Sequence, residues 1–136
     1  MKKRLDFFGK EFDWFAADSD GFIALMSSAG YGPIPDQVFE RFDEQHGIDE
    51  FLSSLIGQSV RDDWDRMILS LSASGIFVYD WKHWDGPYLR LGVPQVPQPI
   101  DELGVPPELR DAFAVVAERF SVSAELRPEV LLPCTR

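Results

Sequence analysis

The residues most able to do chemistry in this chain are few and widely spaced. Asp18, Ser19, Asp20 and Gly21 look like part of a calcium loop, in which acids at set positions and a bidentate Glu at the twelfth wrap the ion. With Gly21 at the sixth position, the first falls on Ala16 and the twelfth on Ser27. Neither is an acid, so the segment is expected to turn a hairpin. His46 and His83 are the two histidines, and neither has a His or Cys at zinc-ligand spacing. His83 and Asp85 could form an acid/base pair, but no serine sits in a nucleophile elbow. Cys134 has no basic helix N-terminus before it to activate a thiolate. Gly30, Gly32 and Pro33 match no phosphate-binding loop. Asp62, Asp63 and Asp65 lie close together, and a helix would put Asp62 and Asp65 on one face, suited to a cation or a basic partner; a solvated helix face is the favoured explanation of them. No catalytic residue, metal or cofactor is expected, and protein binding is favoured over chemistry.

Charge points the same way. The net charge is −10, with residues 11–65 carrying thirteen acids against Arg41 and Arg61, a net of −11, and the remainder carrying +1. Such a surface does not suit nucleic acid, whose affinity comes from Lys and Arg on phosphates. It suits a basic protein, although acidity also serves solubility. The partner-binding candidates are Asp36, Glu40, Asp43, Glu44, Asp62, Asp63 and Asp65, together with His83, Trp84 and Asp85. The last three lie in WKHWDGPY, whose mixture of Trp, Tyr, His and acid matches interface hot spots. Trp81 continues the alternation of a strand and is expected in the core. Trp84 is expected at the loop tip.

The positioning elements follow from local pattern. Length and a 45% apolar content fit one domain over 1–136, with a basic N-terminal segment at 1–10 and a tail at 128–136. The N-terminus reaches Asp6 before any apolar stretch, so no export signal is read, and no apolar run nears the ~20 residues of a membrane span. With one cysteine, a reducing, cytoplasmic setting is expected. Asp-Gly at 20–21 predicts a hairpin of strands 13–17 and 22–27. Helices are predicted from Pro35 to about Gln45, from Ile48 to Ile56, and from an N-cap at Ser59 to Gly75, with Gly47 and Gly57 as stops. GIFVYDW and PYLRLGV read as a second hairpin. The prolines at 94, 97 and 99 predict an unpaired connector. A last helix is predicted to open at Pro106-Pro107 and run to about Phe120, then an edge strand in SVSAEL. Together these give an α+β fold, a mainly antiparallel sheet built from two hairpins with helices packed on one side.

The stretches WFAADSDGFIALMSSAGYGPIP and VYDWKHWDGPYLRLGVPQVPQPIDEL resemble small bacterial proteins of uncharacterised type, some of which look like immunity proteins encoded beside polymorphic or contact-delivered toxins. The similarity spans roughly residues 11–105. It implies a cytosolic inhibitor that sequesters a toxin domain and brings no catalytic residues with it. The alternatives are a small enzyme or small-molecule-binding protein with an acidic pocket, and a structural subunit of a larger assembly; self-association is compatible with all three.

Overall fold

In the computed structural model, which describes residues 12–57 and 63–131, the chain pairs β1 (Asp13–Ala17) with β2 (Ile23–Ser27) as an antiparallel hairpin. The Asp18–Gly21 turn closes it, Gly21 taking a φ of 81° that only a residue without Cβ adopts cheaply. The second expected hairpin is also present, as β3 (Phe77–Asp80) and β4 (Tyr88–Gly92). Two-residue strands close the ends: β5 (Ala114–Val115) beside β1, and β6 (Glu125–Leu126) beside β4.

The strand order is β5-β1-β2-β3-β4-β6, and the sheet is mixed. This corrects the expectation of a mainly antiparallel sheet. The two hairpins meet through a parallel pairing of β2 with β3, and β5 also runs parallel to β1. A parallel junction needs a long crossover, and residues 28–76 supply it. They carry α1 (Asp36–Glu40), α2 (Phe42–Ile56) and α3 (Trp64–Ala73).

Strand alternation gives the sheet two apolar faces. Trp14, Met26, Phe77, Tyr79 and Tyr88 line one, with Val38, Phe39, Phe120 and Leu131 packed over them. Phe15, Ile23, Leu25 and Val78 line the other, beneath Ile48 and Leu52 of α2 and Met67 and Leu71 of α3. Layers on one side only are therefore not what forms: α2 and α3 cover one face, while α1 and the C-terminal segment cover the opposite one. Burying both faces explains why β1 and β2 read as near-continuous apolar runs.

Three helix boundaries differ from expectation. The first predicted helix breaks at Arg41, so that Phe39 and Phe42 both stack on Phe12, at ring separations of 6.2 and 5.8 Å. Gly47 does not stop a helix but lies inside α2, where a Cβ would come 2.9 Å from Leu109 Cδ2. The helix opened by Pro107 ends at Arg110 (α4, Pro107–Arg110), and the chain then feeds Ala114 into the sheet. Gly57 does end α2, in a left-handed C-cap. The expected cap at Ser59 lies outside the described residues; α3 is capped by Asp63, whose side chain accepts a hydrogen bond from Arg66 N at 3.1 Å. The tail expected from Pro128 begins with a 3-10 turn, Pro128–Leu131, that buries Leu131. The proline connector stays outside the named strands, touching the sheet through one isolated bridge between Pro99 and Phe22.

Candidate functional site

The most elaborately supported surface feature is the β3–β4 loop, residues 81–87. It is built outward from the core. Trp14 Nε1 donates to Tyr88 Oη at 3.1 Å, and that hydroxyl donates to Pro33 O at 3.0 Å. Tyr88 meets Trp14 and Trp81 edge-on, at 5.9 and 5.0 Å between rings. Trp81 is tied to β2 through its backbone N–H on Ser27 O, and its Nε1 donates to Trp84 O at 2.9 Å. Gly86 N donates to His83 O at 2.8 Å, closing the turn. Gly86 has a φ of 75°, and a Cβ there would run into the Trp81 ring. Only glycine fits. The expected division is found: Trp81 is buried, and Trp84 is 81% exposed.

His83 and Asp85 flank Trp84 and are also exposed. The ion pairs among the described residues, such as His46–Glu50 at 3.5 Å and Arg41–Glu44 at 3.6 Å, include neither of them. At the same end of the sheet, the connector carrying Tyr31 packs against the loop, because Gly32 abuts Trp81 Cβ and the Tyr88 hydroxyl. Tyr31 is 52% exposed. Asp13 and Asp80 stand in one row across Ser27 at this end, as the register of β1, β2 and β3 requires. Sequence reading missed that row, since Asp13 and Asp80 come into line only through the parallel β2–β3 pairing.

The other candidates fall into two groups. Asp36 and Glu40 lie one turn apart on α1, and Asp43 and Glu44 follow in the first turn of α2. Among these four acids stands one base, Arg41, which pairs with Glu44. Asp63 and Asp65 lie at the start of α3, which packs on the opposite sheet face from α1 and on the same face as α2; both are exposed. Asp62 lies outside the described residues. An N-cap and a first-turn acid are also where the helix dipole favours negative charge, which accounts for Asp63 and Asp65 without a partner.

The Asp18–Gly21 segment uses its carboxylates internally. Asp18 Oδ1 accepts from Asp20 N and Phe22 N, both at 3.0 Å, and Oδ2 accepts from Phe120 N at 2.8 Å. Asp20 Oδ2 accepts from Arg119 Nε at 2.7 Å, which holds the guanidinium pKa above its ordinary value. These oxygens bind the C-terminal segment to the hairpin. Among the described residues no group of three or more His, Cys, Asp or Glu side chains is placed to hold a metal ion, and no helix is long and apolar enough to cross a membrane. Comparison of the chain with protein-family models, with curated proteins and with solved structures gave no match.

Proposed function

We propose that this is a toxin-neutralising immunity protein, acting in the cytoplasm, that binds and inhibits a cognate bacterial toxin domain through an acidic, aromatic-containing surface. The observation that carries the reading is the placing of Asp36, Glu40, Asp43 and Glu44 on consecutive helices, in a stretch, residues 36–56, whose one Lys or Arg is Arg41. A patch of one sign raises the encounter rate with a basic protein and disfavours acidic competitors. Inhibition by occupation needs no catalytic group, and the carboxylates of the hairpin turn are already engaged in holding the fold.

The direct test is to purify the protein with the product of the gene adjacent to its own and follow both complex formation and the activity of that product. The reading expects a stable complex, loss of the partner's activity, and an association rate that falls steeply between low salt and about 1 M salt, where the screening length is about 3 Å. Absence of a complex would defeat the reading, and association indifferent to salt would defeat its electrostatic basis.

A further inference from the structure

We draw no further inference here: the strongest candidate, the exposed Trp84 at the tip of the β3–β4 loop, carries nothing, because nothing in the structure shows what covers it.

Discussion

The side-chain amide of Gln45 pairs with the backbone of Phe15 as a neighbouring strand would, its Oε1 accepting from Phe15 N at 2.9 Å and its Nε2 donating to Phe15 O at 3.0 Å. Strand β5 covers β1 only at Ala16 and Ala17, so the outward N–H and C=O of Phe15 lie beyond its end. Gln45, buried in α2, completes the row and also donates to Ala112 O at 2.6 Å. Removing it leaves three buried backbone groups without partners, at about 1–3 kcal/mol each if no water reaches them. Gln45→Ala should therefore cost on the order of 3 kcal/mol or more in urea unfolding. Gln45→Glu adds a sign. A carboxylate cannot donate to Phe15 O and Ala112 O, whereas the protonated acid can donate to one of them, so folding raises the pKa of the introduced group above its unfolded value. The introduced acid should do least harm below about pH 4 and most harm above its raised folded pKa. A variant whose stability deficit does not grow with pH would contradict this.

Local signals announced the two hairpins, since Asp-Gly turns and apolar runs act over a few residues. Neither the parallel β2–β3 seam nor the role of Gln45 has such a signal: both depend on where the 28–76 crossover brings the chain back. The last helix misled for a different reason. Leu109, Phe113, Val116 and Phe120 recur at helical spacing, yet Phe113 packs on one face of the sheet and Val116 and Phe120 on the other. A short apolar run such as Ala112–Val116 does not distinguish helix from strand by period alone. The tip and base of the 81–87 loop were legible because Trp81 keeps strand alternation and Trp84 breaks it. The acidic stretch was legible as charge but not as a surface, because the chain packs α1 and α3 on opposite faces of the sheet.

Asp18 joins the first hairpin to the C-terminal segment, and the two halves of its carboxylate can be separated. Asp18→Asn keeps one acceptor oxygen but turns an NH2 toward a backbone N–H. If the remaining oxygen keeps the turn through Asp20 N and Phe22 N, the Phe120 N–H loses its acceptor. The expected cost is about 1–3 kcal/mol. Amide hydrogen exchange should accelerate at Phe120 well before it does within β1 and β2. Equal acceleration throughout the sheet would mean that Asp18 holds the whole fold rather than this junction.

Tyr79 should make the fold sensitive to alkali. Burial raises its phenol pKa well above the ordinary value, outweighing the opposing charge of Arg90, and the hydroxyl donates to Ser123 O at 2.6 Å. The unfolded chain ionises Tyr79 near pH 10 while the folded chain holds it neutral. Stability from this group is thus complete below about pH 10 and declines as pH rises toward the folded value. Tyr79→Phe loses a hydrogen bond at neutral pH, about 1 kcal/mol, but should flatten the decline above pH 10. Parallel wild-type and Tyr79→Phe stability curves through that range would refute the assignment.

Gly47 offers a test of why a glycine sits inside α2. In an open helix, Gly→Ala gains about 1 kcal/mol through propensity. Here the new methyl would press on Leu109 Cδ2 at 2.9 Å, with the next Leu109 atoms at 3.7 and 3.9 Å. The contact is with the far end of a side chain that is only partly buried, so Leu109 can shift, at the expense of its packing on α2. Gly47→Ala alone should realise little of the propensity gain. Placed in a Leu109→Ala background, where the obstructing methyls are gone, the same substitution should stabilise by about 1 kcal/mol. The difference between the two backgrounds measures the contact directly. Equal effects in both would show that the glycine is there for some reason other than the approach of α4.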